Sequence, residues 1–177
     1  MKILIAYASA KGSTKSIAER IDTRISAANI GDVTTQPIDK SIPLDDFTVL
    51  IIGSCIHVQS WLKPASAFVK SQAAYLREHP KKIWAFSVGM PPVGRERGEE
   101  EKMEKWLKKS IDIRGHKLFQ GMWQQTDMSW CFRCLFGCLG GKFEDRRDWD
   151  AIDSWADEIV QDLRMNPPAQ ERSNEGI

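Results

Sequence analysis

The chain has 177 residues, 42% hydrophobic and 28% charged, the balance of one soluble globular domain with room for a sizeable core. Lys and Arg number 25 against 24 Asp and Glu, so no global field recruits nucleic acid or an acidic partner. No run approaches the ~20 apolar residues that span a bilayer. Met1-Lys2 leads straight into a strand pattern with no secretory leader, and four cysteines are too few for a disulfide scaffold. The expectation is a cytoplasmic protein with reduced thiols.

Ile3 to Tyr7 is a continuous apolar run, as in a parallel strand buried on both faces. From Thr14 the period changes: Ile17, Ala18, Ile21, Ile25 and Ala28 recur at helical spacing and Gly31 ends the helix. Val33 to Ile38 reads as a short second strand, and Phe47 to Gly53 as a third, followed by a loop from Ser54 to Trp61. Pro64 suits the first turn of a helix running to about Arg77, with Ala65, Phe68, Val69 and Ala73 inward. Lys82 to Val88 reads as the fourth strand, then comes a Gly/Pro/Arg loop to Gly98 and a helix from Glu99 to about Ser110 with Met103, Trp106 and Leu107 on one face. His116 to Met122 reads as the fifth strand. The last helix starts near Asp148, an N-cap candidate, and buries Ile152, Ala156, Ile159, Val160 and Leu163. Strands alternating with helices argue a parallel sheet covered on both faces. An insert, about 123–143, precedes the last helix and exceeds an ordinary connection. A polar tail, 166–177, reads as disordered.

The first strand–loop–helix unit carries Ser9, Ala10, Lys11, Gly12, Ser13 and Thr14. Free N–H groups and the helix dipole make such a junction an anion site, hydroxyls add donors, and Gly12 permits close backbone approach. A well-capped turn with no ligand is the plain alternative. The Walker pattern fails, because Tyr7 stands five before Gly12 and Ser13 follows it, and the dinucleotide fingerprint fails with one glycine.

The loop is similar to the hydroxyl-rich phosphate loop of flavodoxin-like domains, with Lys11 in place of one hydroxyl. Gly53-Ser54-Cys55-Ile56 and Ser87-Val88-Gly89-Met90 follow the third and fourth strands, where such domains set their ring-contacting loops. The resemblance implies an α/β, five-stranded parallel sheet of order 2-1-3-4-5 over residues 1–165, with FMN at the carboxyl ends of its strands. It implies Ser9 to Thr14 at the phosphate, and Ser54, Cys55, Ile56, Ser87, Val88, Gly89 and Met90 around the ring.

Within that family the chain resembles the menaquinone-dependent protoporphyrinogen oxidases. The carrying segments are Ser54-Cys55-Ile56-His57 with Phe68-Val69-Lys70, Ala85-Phe86-Ser87-Val88, Leu118-Phe119-Gln120-Gly121, Gly140-Gly141-Lys142, and Asp148-Trp149-Asp150 with Trp155-Ala156. The implied activity is transfer of electrons from a reduced substrate, a porphyrinogen, through FMN to a quinone; an electron carrier and a quinone reductase of another substrate are the alternatives. His57 either shuttles a proton beside the ring or is an exposed histidine with no role. Trp61 either stacks on flavin or substrate, or anchors its loop to the next helix. Arg95, Arg97, Arg133, Lys142, Arg146 and Arg147 are the cations available to substrate carboxylates.

Cys131, Cys134 and Cys138 fall at i, i+3 and i+7, one face of a helix. Leu135, Phe136 and Leu139 interleave with them, which favours packing over an iron–sulfur or zinc site, and no metal is expected. Trp123, Trp130, Phe132, Leu135 and Phe136 suit either a membrane surface or a homodimer contact.

Overall fold

The computed structural model describes residues 1–39, 42–92, 94–122 and 145–168. The expected insert, with Cys131, Cys134, Cys138, Arg133 and Lys142, and residues 169–177 of the expected tail lie outside the described residues.

In chain order the elements are β1 (Lys2–Ala8), α1 (Ser13–Ala27), β2 (Asp32–Pro37), β3 (Val49–His57), β4 (Ser60–Trp61), α2 (Lys63–Glu78), β5 (Lys82–Gly89), α3 (Glu96–Ser110), β6 (Gly115–Gln120) and α4 (Trp149–Met165). The sheet order is β2-β1-β3-β5-β6, all parallel, with β4 paired antiparallel to β3. With two-residue β4 set aside, this is the expected 2-1-3-4-5 order; among the described residues the sheet has six strands rather than five.

Side chains alternate across each central strand, because successive Cβ atoms point to opposite faces. Ile3, Ile5 and Tyr7 of β1, Val49 and Ile51 of β3, and Trp84, Phe86 and Val88 of β5 pack with Ile17, Ile21 and Ile25 of α1 and with Ile152, Trp155 and Ile159 of α4. Leu4, Ala6, Leu50, Ile52, Ile83 and Ala85 face the other way, onto Ala65, Phe68 and Val69 of α2 and Met103 and Leu107 of α3. Two cores therefore sandwich one sheet, and burial of each large aliphatic side chain stabilises it by about 1.5–3 kcal/mol. Asp148 caps α4 as expected, its Oδ1 accepting from Ala151 N at 3.0 Å. Gly53 lies opposite Phe86 in the β3–β5 register, and its bare Cα admits the Phe86 ring where a Cβ would lie 2.0 Å from Cζ.

Three boundaries differ from the sequence reading in ways that shape the site. Strand β3 does not stop at Gly53; Ser54, Cys55, Ile56 and His57 belong to it, with Ser54 opposite Ser87 and Cys55 opposite Val88. The expected loop from Ser54 to Trp61 is instead a hairpin whose two turn residues, Val58 (φ 48) and Gln59 (φ 59), both take left-handed backbone, the geometry of the tightest hairpins. Helix α3 begins at Glu96 rather than Glu99, and β6 ends at Gln120, with Met122 held separately in an antiparallel bridge to Asp145.

Candidate functional site

The carboxyl ends of β1, β3 and β5 open into one cleft of about 910 Å³, at the upper end of small-molecule sites. Its first wall, the β1–α1 loop, is Ser9, Ala10, Lys11, Ser13 and Thr14; its second wall is Cys55, Ile56, His57, Val58 and Gln59; its third is Val88 to Pro92. Gly94, Arg95, Gly98, Glu99 and Lys102 extend it along the first turns of α3, and Gly121 and Met122 close the side next to α1.

Loop geometry at β1 follows from Gly12. Its φ of +90° suits a residue without Cβ, and its N–H donates to Ser9 Oγ at 3.0 Å. Gly12 brings no capping side chain, and its carbonyl accepts the first helical bond from Ser16 N at 2.9 Å. The preceding N–H groups of α1 have no intrahelical partner and carry the positive end of the dipole. Thr14 is fully buried, yet its Oγ1 has no hydrogen-bond partner among the described residues. A buried hydroxyl without a partner is costly, so an orphan donor beside open helix N–H groups is the arrangement an anion would satisfy.

Cys55 lies half-buried against this cradle. Burial pushes its thiol pKa up, against the opposing pull of the Ala10 backbone and the Thr14 hydroxyl. The two side chains are thus neighbours, although Thr14 makes no properly aligned hydrogen bond to the sulfur. The cradle therefore presents a neutral thiol rather than a thiolate to an incoming phosphate.

Of the expected site residues, Ser9, Ala10, Lys11, Ser13, Thr14, Cys55, Ile56, His57, Val88, Gly89 and Met90 meet around the cleft. Gly12 shapes the loop without lining it. Ser54 and Ser87 do not line it: both are fully buried. Ser54 Oγ accepts from Leu62 N at 3.1 Å and donates to Cys55 O at 3.0 Å, fixing the hairpin root. Ser87 Oγ binds Trp61 Nε1 at 2.7 Å and His116 Nε2 at 2.8 Å. Trp61, 4% exposed, packs edge-on against Trp106 at 5.6 Å; it anchors the hairpin to the α2–α3 core and is absent from the cleft wall. His57 is exposed, on the cleft wall. Arg95 lines the cleft, whereas Arg97 lies in a separate surface hollow beside Glu101 and Arg114.

Sequence reasoning missed Val58, Gln59, Pro91, Pro92 and Lys102. Lys102 Nζ donates to Gln59 Oε1 at 2.9 Å, tying the hairpin tip to α3 across the cleft mouth. Nothing in the run His57-Val58-Gln59-Ser60 signals a tight turn, which ordinarily uses Asn or Gly where φ is positive.

The chain matches the family described as "Flavodoxin domain" over residues 4–139. No curated protein matches it. Among solved structures it is similar to a flavodoxin from the domain Archaea, with 17% identity, covering 93% of this chain and 99% of that one, at a TM-score of 0.58. It is similar to oxidised flavodoxin 2 from Bacillus cereus, with 21% identity over 91% of this chain and 99% of that one, at 0.60. The rubredoxin oxygen:oxidoreductase from Desulfovibrio gigas is matched at 17% identity and 0.62, over 93% of this chain and 36% of that longer one. At these identities the structural likenesses establish the fold. With a family match over most of its length, the fold's strand order and an anion cradle at the end of β1, the chain belongs to the flavodoxin domain family, and its cofactor is FMN.

Proposed function

We propose that this protein is an FMN-dependent oxidoreductase of the quinone-coupled protoporphyrinogen oxidase type, in which residues 1–165 form the flavin domain. The observation that carries the reading is the reach of the cleft: it continues past the phosphate loop and His57 to Arg95, at the N-cap of α3, and Lys102 within that helix. That leaves a walled, partly cationic space beside the flavin region for a small anionic substrate, since carboxylates are met by Arg and Lys.

In this reading Ser9, Ser13, Thr14 and the open amides of α1 hold the phosphate, with Lys11 adding a positive charge. Cys55, Ile56, Val88, Gly89 and Met90 border the ring. FMN supplies two-electron exchange between a reduced donor and a quinone, which becomes the hydroquinone. Arg95 and Lys102 orient the donor's carboxylates. His57, exposed on the wall, takes up or returns a proton at its imidazole.

A second reading, a protein-to-protein electron carrier, is favoured by size: the chain spans 99% of two flavodoxins. Anaerobic mixing of the FMN-loaded protein with protoporphyrinogen separates the two. Bleaching of the bound-flavin absorbance, and its return on adding menadione, is the expected result. FMN that binds but stays oxidised would leave the carrier reading. Among the described residues no helix is long and apolar enough to cross a membrane.

A further inference from the structure

Met122, two residues past β6, and the segment from Asp145 to Arg147 both reach the first turn of α1. Met122 and Asp145 form an antiparallel bridge, and Arg146 N donates to Gly121 O at 3.1 Å. Met122 N donates to Ser13 Oγ at 3.1 Å. A Cβ on Gly121 would lie 3.2 Å from that same oxygen, a tight contact that marks how closely the two segments approach.

Arg147 gathers these contacts. Its side chain is 12% exposed, its Nε donates to Asp145 Oδ1 at 2.8 Å, and its guanidinium stacks over Trp149 at 4.6 Å. The remaining donors reach in two directions. One, Nη1, donates to Ser16 Oγ at 2.8 Å, and Ser16 Oγ donates onward to Ser13 O at 2.8 Å. The other, Nη2, donates to Asp145 Oδ2 and also meets Met122 Sδ at 3.2 Å, steadying the residue whose N–H loads the Ser13 hydroxyl. Ser13 is therefore held on its carbonyl side through Ser16 and on its hydroxyl side through Met122, both from one guanidinium.

We infer that Arg147 is a positioning residue for the phosphate end of the cofactor site, acting through Ser13 rather than by touching the ligand. The inference rests on the reading that the amino end of α1 holds the FMN phosphate. A hydroxyl that accepts from Met122 N has its own proton free for an anion, and hydrogen bonds in series strengthen one another. Asp145 neutralises much of the Arg147 charge, and the hydrogen bonds from Arg147 hold the Asp145 carboxyl below the usual range. The effect on phosphate is thus geometric more than a direct charge attraction.

The test compares FMN with riboflavin, which lacks the phosphate, by quenching of flavin fluorescence on the full chain. Arg147→Met keeps the stem and removes the fork. Its expected effect is an FMN affinity roughly tenfold weaker, the scale of one charge-assisted hydrogen bond, with riboflavin affinity unchanged. Ser16→Ala cuts only the carbonyl-side link and is expected to lower the FMN-to-riboflavin affinity ratio in the same direction by less; it serves if Arg147→Met does not fold. Equal losses for both flavins, or no loss for either, would overturn the inference. Failure of the unaltered protein to bind FMN more tightly than riboflavin would instead remove the phosphate reading of α1 on which it rests.

Discussion

Trp61 donates its indole N–H to Ser87 Oγ at 2.7 Å, linking the base of the cleft hairpin to the carboxyl end of β5. The same oxygen lies 2.8 Å from His116 Nε2 on β6. With the imidazole neutral and its proton on Nδ1, which has no partner among the described residues, Ser87 accepts from Trp61 and donates to Nε2, joining the hairpin, β5 and β6 in one line behind the cleft wall. Protonation of His116 would turn Nε2 into a donor and leave the Ser87 proton without that acceptor.

This arrangement predicts a pH dependence of stability. Burial pushes the His116 pKa down to about 4, with Glu104 pulling weakly the other way. Between about pH 6.5 and 4 the unfolded chain binds the additional proton, so stability rises with pH through that window and is lost as pH falls through it. The expected loss is about 3 kcal/mol across the window, at 1.36 kcal/mol per pKa unit. Urea denaturation at pH 7 and pH 5, a pair that takes in about 1.5 pH units of the window, should show about 2 kcal/mol of it. His116→Gln should show a clearly flatter dependence, and equal slopes for both proteins would remove His116 as the cause.

The central rows of the sheet predict a second effect. Gly53 gives way to the Phe86 ring, with a Cβ falling 2.0 Å from Cζ and 2.3 Å from Cε1. Phe86 is fully buried and packs against Phe119 and Trp155, so the ring has nowhere to move. Gly53→Ala should destabilise by about 1–3 kcal/mol or more, as overpacked cores do, and lower the melting temperature accordingly. Gly53→Ala with Phe86→Leu should recover part of that loss; if the single variant melts like the parent, the close packing of this row is wrong.

How much of this was legible in the sequence depends on range. Strands β1, β3 and β5 announce themselves because burial on both faces makes them continuous apolar runs, and the Asp148 cap is a local signal three residues long. The β1–α1 loop is legible as a cleft wall because its groups are consecutive. Strand β3 overran its expected end because Ser54 and Cys55 are held by pairing to β5 rather than by apolar character. Helix α3 was read three residues short because Gly94 and Gly98 bracket its start like a loop. Ser54 and Ser87 looked like ligand groups; their partners, Leu62, Trp61 and His116, are supplied by tertiary structure. Arg147 meets Ser16 across 131 positions, a separation that no local pattern reports.

Helices α1 and α4 are clamped at their exposed seam by two paired forks, Arg20 to Asp153 and Arg24 to Asp157. The hydrogen bonds from each arginine draw both carboxyls below the usual range. A depressed carboxylate pKa contributes stability above the unfolded value and loses it as pH falls through the folded one. Both pairs face water, so screening limits them. The double variant Asp153→Asn with Asp157→Asn should melt below the parent at neutral pH in low salt, and the gap should narrow in high salt and in acid. A gap that salt and acid leave unchanged would point to packing of α1 on α4 rather than to charge.

Thr14 offers the sharpest test of the cofactor cradle. Its hydroxyl is buried without a partner among the described residues, so in the apoprotein replacing it by a methyl removes a desolvated donor and costs no hydrogen bond. Thr14→Val should therefore melt at or above the parent temperature without FMN. With FMN the proposed cradle reverses the sign, because there the same hydroxyl would donate to the phosphate, and charge-assisted hydrogen bonds contribute about 1.5–3 kcal/mol. FMN affinity should fall by roughly one to two orders of magnitude at 1.4 kcal/mol per tenfold, while riboflavin affinity stays unchanged. Melting curves with and without each flavin read both halves of the prediction. Unchanged FMN affinity would mean that the orphan hydroxyl does not meet the phosphate, and the cradle would then rest on the α1 amides and Ser13 alone.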